Sequence, residues 1–178
     1  MRDNYLDAYD EVKIIDIGGG FSSDENALSL QTIRDSLDPW IKLYHDKQFI
    51  AEPGRLFTAD CMSLLCSVIS KNIRNGIQYY VINNSIHHTF SCIIFDLHIP
   101  KVMQSIDWID WGTDKHEMVD GCIVGETCDG VDVLYHGLVP HDLPLGTTLF
   151  FPCMGAYSNA SANTFNGFTK PDVVYYNE

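Results

Sequence analysis

The chain has 178 residues, 46% hydrophobic and 20% charged, the proportions of a folded globular protein long enough to bury a sizeable core. Its formal net charge of −13, with 11 Lys and Arg thinly spread, argues against the basic stripe that a nucleic-acid backbone requires. No apolar run approaches the roughly 20 residues that cross a bilayer, so neither nucleic acid nor a membrane is an expected partner. An acidic field instead favours cationic small molecules.

In chain order, Val12 to Ile17 is a short β-branched run ending in Gly18-Gly19-Gly20, which predicts a buried strand entering a turn. Asn26 to Tyr44 carries Leu28, Leu30, Ile33, Leu37, Trp40, Ile41 and Tyr44 near helical spacing, with a break expected at Asp38-Pro39. Phe49-Ile50-Ala51 predicts a second strand, running into Glu52-Pro53-Gly54-Arg55. Strand, helix, strand, with distinctive turns at the strands' carboxyl ends, is the grammar of a parallel α/β unit. After about residue 60 the segments shorten and become β-branched and aromatic: 62–73, 77–82, 90–95, 121–124, 147–151 and 173–176. Asn-Gly, Asp-Gly and Pro signals separate them, predicting an all-β second domain. The expected division is 1–60 and 61–178.

The cysteines at 61, 66, 92, 122, 128 and 153 form no CxxC pair. Most sit in apolar surroundings, which reads as reduced, buried thiols; with no apolar stretch in Met1-Arg2-Asp3-Asn4-Tyr5, a cytoplasmic location is the expectation. Cys128 differs, lying in a polar setting among Glu126, Thr127 and Asp129. His87 and His88 are adjacent and His98 lies ten or eleven residues on; without HxH, HExxH or Cys/His spacing, no metal site is expected.

Ile15-Asp16-Ile17-Gly18-Gly19-Gly20-Phe21, Ala51-Glu52-Pro53-Gly54-Arg55, Thr127-Cys128-Asp129-Gly130-Val131-Asp132, Met154-Gly155-Ala156-Tyr157 and Thr164-Phe165-Asn166-Gly167-Phe168 occur in this order at compatible spacing. On these stretches the chain, from about Val12 to Tyr176, resembles the C-terminal half of eukaryotic-type ornithine decarboxylases, pyridoxal-phosphate (PLP) enzymes of the alanine-racemase-like fold. The resemblance implies an α/β plus all-β architecture: the last two βα units of a PLP-binding TIM-type barrel, then a C-terminal β-sandwich or β-barrel domain. It also implies a homodimer with active sites at the subunit interface, and decarboxylation of a basic amino acid, L-ornithine to putrescine. A closed (β/α)₈ barrel takes about 250 residues, so association with an N-terminal barrel half is the other expected assembly.

The resemblance assigns roles by position. Gly18, Gly19 and Gly20 would present backbone N–H groups to the cofactor phosphate, the alternative being an ordinary strand-to-helix turn. Gly54 and Arg55 form the second turn, where a guanidinium matches phosphate oxygens; the alternative is a surface arginine. The Glu52 carboxylate would keep the pyridine nitrogen of PLP protonated, unless it is a solvated loop glutamate. Tyr157 would donate its hydroxyl to the phosphate, or simply pack in the β domain. Cys128 would reprotonate the substrate carbon, while Asp96 and Asp129 would hold the distal amine; a strand terminus and an acidic turn are their plain alternatives. Phe165 matches an aromatic at the dimer interface, with core packing equally open.

Several positions depart from the family pattern. Asn83-Asn84 stands for Asn-Asp-Gly, His87-His88-Thr89 for Tyr-Gly-Ser, Phe95 for a tyrosine, and Glu126 for a proline. The family's cofactor-linking lysine lies in a Tyr-Ala-Val-Lys-like stretch that this sequence does not contain, so the chain alone is expected to be inactive. The competing expectation is a non-catalytic relative, such as an antizyme inhibitor, that acts by binding.

Overall fold

The computed structural model of the chain describes residues 11–22, 29–96, 103–104, 109–110 and 117–176, with backbone alone at 95–96, 103–104 and 109–110. The chain divides into two compact units, Met1–Phe57 and Thr58–Glu178.

In the first unit, β1 (Ile14–Asp16) and β2 (Gln48–Ile50) pair in parallel, Ile14 opposite Gln48 and Asp16 opposite Ile50. Parallel neighbours require a crossover, and α1 (Leu30–Leu43) lies in it. Ser29 caps that helix by accepting the Thr32 N–H, which satisfies one of the donors a helix start leaves open. The break expected at Asp38-Pro39 does not occur, and α1 runs through Pro39 to Leu43. Proline removes one N–H, and the next turn closes regardless, with the Tyr44 N–H reaching the Trp40 carbonyl at 2.9 Å. Leu28, counted in the predicted helix, lies outside the described residues. The short helix α2 (Gly54–Thr58) follows β2.

The described strands of the second unit form one mixed seven-stranded sheet in the order β6-β5-β9-β3-β4-β7-β8. They are β3 (Leu64–Arg74), β4 (Ile77–Ile82), β5 (Met103–Gln104), β6 (Ile109–Asp110), β7 (Met118–Val124), β8 (Val133–Pro140) and β9 (Thr148–Phe151). Asn75 and Gly76 both adopt left-handed φ, the conformation that closes the β3–β4 hairpin tightly. β3 pairs with β9 over Leu64–Ser67 and with β4 over Val68–Arg74, and a bulge between Val68 and Ser70 interrupts the pairing with β4. β4 and β7 are parallel, and every other pairing in this sheet is antiparallel.

Alternation along the strands builds the core. Leu64, Cys66 and Val68 of β3, Tyr80 and Ile82 of β4, Ile123 of β7, and Leu149 and Phe151 of β9 are all buried in one cluster. Phe90 plugs it from the loop after β4, its ring edge-on to Phe151 at 4.8 Å. The Tyr80 hydroxyl closes the far side, donating to the Pro140 carbonyl at 2.7 Å and accepting from the Leu143 N–H at 2.8 Å.

Two expected strands are absent. Segment 90–95 belongs to a 3₁₀ turn, Thr89–Ser91, and the short helix α3, Cys92–Asp96. The loop around it explains why: the Asn84 side-chain oxygen accepts from the Ser85 and Thr89 N–H groups, curling the backbone away from a ladder. Residues 173–176 pair with none of the described strands and are exposed, so their β-branched and aromatic side chains do not pack on the described sheet. Conversely, β8 was not foreseen: Leu134, Val139 and Pro140 face inward, but His136 and Gly137 interrupt the apolar pattern.

Candidate active site

In the first unit the two turns touch. The Glu52 N–H donates to the Gly18 carbonyl at 2.8 Å, and the Ile17 N–H to Ile50 O at 3.0 Å. Gly18 and Gly20 take left-handed φ of 71° and 82°. A Cβ at Gly19 would lie 2.8 Å from the Glu52 carbonyl oxygen, so the approach of these backbones admits only glycine there. The Gly18 N–H, one of the three expected to face a phosphate, instead donates to the Asp16 side chain at 2.8 Å. The Gly54 N–H turns back to the Glu52 carbonyl at 2.9 Å and opens α2, which places Arg55, half-buried, directly after the turn, while Glu52 is exposed.

In the second unit, three loops meet around Cys128 and Asp129. The loop after β7 is organised by the buried Asp132, whose carboxylate accepts from the Ile86 N–H at 2.8 Å, the Thr127 N–H at 3.1 Å and the Thr127 hydroxyl at 2.6 Å. Gly125 lies beneath it, where a Cβ would come within 2.2 Å of both carboxylate oxygens. Cys128 is exposed, and its N–H donates to the Asn166 side chain at 3.1 Å, joining this loop to the 164–168 segment. The Asp129 carboxylate is held at both oxygens: Oδ1 by the Val131 N–H at 3.1 Å and Oδ2 by His87 Nε2 at 2.8 Å. His87 also packs against the half-exposed Phe165 ring, centroids 4.3 Å apart, and its carbonyl accepts from Asn163. Cys128, Asp129 and Phe165, far apart in sequence, thus belong to one cluster.

The electrostatics follow from this packing. The Val131 N–H, and after it the His87 hydrogen bond, hold the Asp129 carboxyl below the usual carboxylate range. Glu126 goes the other way: burial first, then the charge of Asp132, raises its carboxyl. Its neighbour is the fully buried His88, with Nδ1 3.7 Å from Glu126 Oε1, and burial lowers that imidazole. Glu126 and His88 are two departures from the family pattern that lie 38 residues apart in sequence and meet here.

Tyr157 sits in the turn after Met154, exposed and at left-handed φ of 54°. The turn is anchored by Met154 N–H to Met62 O at 2.8 Å and Gly155 N–H to Ala59 O at 2.9 Å. A Cβ at Gly155 would lie 1.7 Å from the Thr58 carbonyl. Asp96 is the last residue of α3 rather than a strand end. Sequence reasoning passed over His87 and Asp132. The signal for His87 was its departure from the family pattern; Asp132 closes the Thr127–Asp132 stretch that carries the resemblance, which assigned it no role.

The model of the pyridoxal-dependent decarboxylase C-terminal sheet domain matches residues 8–155. The ornithine decarboxylase of Caenorhabditis elegans is 36% identical over 93% of this chain and 42% of its own length. Antizyme inhibitor 2 of Xenopus laevis is 31% identical over 91% of this chain and 38% of its own. The structure of the Paramecium bursaria Chlorella virus arginine decarboxylase bound to agmatine superimposes with a TM-score of 0.74 at 36% identity, over 88% of this chain and 42% of that one. The chain therefore spans less than half the length of the relatives it matches. Matched over most of its length by the sheet-domain model and similar in fold to a solved decarboxylase, the chain belongs to the pyridoxal-dependent decarboxylase family.

Proposed function

We propose that this chain acts as the C-terminal part of a PLP-dependent decarboxylase of a basic amino acid, with L-ornithine as substrate and putrescine as product, in the cytoplasm. The observation that carries this reading is the seating of an exposed thiol beside a carboxylate. Cys128 and Asp129 lie next to each other on a loop fastened at Asp132, Asn166 and His87. Such rigidity suits residues that must hold a substrate's far end while moving a proton at the other.

The turn pair of the first unit fits the anionic tail of PLP. Its glycines permit close backbone approach, Arg55 follows directly as a charged donor, and a carboxylate stands in the same turn. When bound, PLP supplies the electron sink for the pair left behind as carbon dioxide departs. Arg55 and the Gly19 and Gly20 N–H groups bind its phosphate, with Gly54 giving the second turn its close approach. Tyr157 is a further phosphate donor in this reading. Glu52 holds a proton on the pyridine nitrogen. Asp96 and Asp129 hold the substrate's distal ammonium. After carbon dioxide has left, Cys128 would deliver its Sγ proton to the substrate α-carbon, giving the amine product, and the thiolate would regain a proton from solvent.

Residues 1–60 are, on this proposal, the end of the PLP-binding barrel, and the chain works as a dimer or with an N-terminal barrel half. Exposed Ile14 and Ile50 on the strands and Leu30, Trp40 and Ile41 on α1 support an apolar face awaiting such cover. Phe165 would lie at the dimer contact, and Cys128 and Asp129 would serve the partner's substrate. Co-expression with the barrel half of the nematode ornithine decarboxylase tests this. Ornithine-dependent carbon dioxide release is the expected result, lost in Cys128→Ala by a factor of about 10²–10⁴ and absent from the chain alone. No release from any pairing, or full activity of Cys128→Ala, would refute it.

The similarity to an antizyme inhibitor favours one second reading, a non-catalytic binder. That reading expects association with an antizyme-type protein, unaffected by Cys128→Ala, and no turnover in the complementation assay.

A further inference from the structure

Asp129 is not an open carboxylate. Each of its oxygens already accepts one hydrogen bond, Oδ1 from the Val131 backbone and Oδ2 from His87 Nε2. The two partners fix the plane of the group from both ends. His87 is itself restrained on three sides: its N–H donates to Ser85 Oγ at 3.0 Å, its carbonyl accepts from Asn163 at 3.1 Å, and its ring lies on Phe165. Its side chain is 21% exposed and that of Asp129 32%, so the pair lies at the rim of the cluster with part of the carboxylate still accessible.

We propose that His87 is a positioning residue for Asp129 that biases the site toward substrates ending in a single ammonium and against those ending in guanidinium. A carboxylate oxygen accepts only through the hydrogen that faces it, so Nε2 must carry the proton. An ammonium is a point donor and needs one acceptor direction, which the locked carboxylate retains. A guanidinium binds best as a fork, two parallel N–H groups on both oxygens along one edge. With one acceptor site on each oxygen already taken, a fork has to share both oxygens with Val131 and His87, whereas an ammonium shares only one. The position of His87 is one where the sequence departs from its family, so the bias belongs to this chain. The substrate part of this inference rests on the decarboxylase reading; the positioning part does not.

The first experiment uses the full 178-residue chain. Ring ¹⁵N spectra should show His87 as the Nε2-protonated form, with resonances that move in Asp129→Ala. A His87 protonated on Nδ1 alone, or one indifferent to Asp129→Ala, overturns the contact. The second experiment uses the complemented decarboxylase and compares kcat/KM for arginine and ornithine. His87→Ala should raise the arginine-to-ornithine ratio about tenfold or more through KM, the scale of one charge-assisted hydrogen bond gained. His87→Gln, which can still donate from its amide, should keep the parental ratio. An unchanged ratio in His87→Ala overturns the bias, as does a Gln variant that behaves like Ala. Absence of turnover from the parental pairing counts against the decarboxylase reading, and the ring spectra then decide the positioning role by themselves.

Discussion

Asp132 offers the sharpest test of how the Cys128–Asp129 loop is built. It is a buried carboxylate that satisfies the Ile86 N–H, the Thr127 N–H and the Thr127 hydroxyl, bridging two loops 46 residues apart. Hydrogen bonds to a charged acceptor contribute about 1.5–3 kcal/mol each, and a buried donor left unpaired costs about 1–3 kcal/mol. Ile86 is buried and cannot recover its loss from water, whereas Thr127 is half-exposed and recovers part. Asp132→Ala should therefore destabilise the chain by about 3–5 kcal/mol, and Asp132→Asn, which keeps one acceptor oxygen, by about half that. Urea unfolding of the full chain measures both, read as midpoint shifts at constant slope. The same geometry predicts coupling to Gly125. Gly125→Ala drives a methyl into the carboxylate, so it should be severe in the parent chain and much milder in Asp132→Ala. A cost below about 1 kcal/mol for Asp132→Ala, or strictly additive effects with Gly125→Ala, would refute this account of the loop.

Further predictions concern the core and the pH response. Tyr80→Phe removes the hydroxyl that serves both Pro140 and Leu143, and should cost about 2–4 kcal/mol in the same unfolding assay. Gly155→Ala, with its methyl 1.7 Å from the Thr58 carbonyl, should displace the turn carrying Tyr157, visible as changed amide shifts across 154–161. Burial raises the Glu126 carboxyl, so the folded chain holds that proton to a higher pH than the unfolded chain. The stability so gained is present below the unfolded value and lost as pH rises through the folded one. Glu126→Gln should remove that loss, and its stability advantage over the parent should grow from pH 4 to pH 7. The Asp129 carboxyl is depressed, so its contribution is present above the unfolded value and lost as pH falls through the folded one; Asp129→Asn should abolish that acid-side loss.

Local chemistry made much of this protein legible from its residues. The βαβ grammar was readable because a β-branched run ending in three glycines, an amphipathic segment and a second run leave few alternatives, and β1, α1 and β2 lie there. The Asn75-Gly76 hairpin was readable for a similar reason, since left-handed φ at both positions selects those residue types. The family was readable from the order of its short motifs. Tertiary structure decided what local rules could not. Whether 90–95 would be strand or helix depended on Asn84 capturing nearby N–H groups, and 173–176 lies exposed outside the described sheet despite its β-branched and aromatic composition. Above all, the contacts of His87 with Asp129, Glu126 with His88, and Asp132 with Ile86 link loops about 40 residues apart. Periodicity and turn propensity carry information over a few neighbouring residues, whereas these partners are chosen by how the sheet brings its loop ends together.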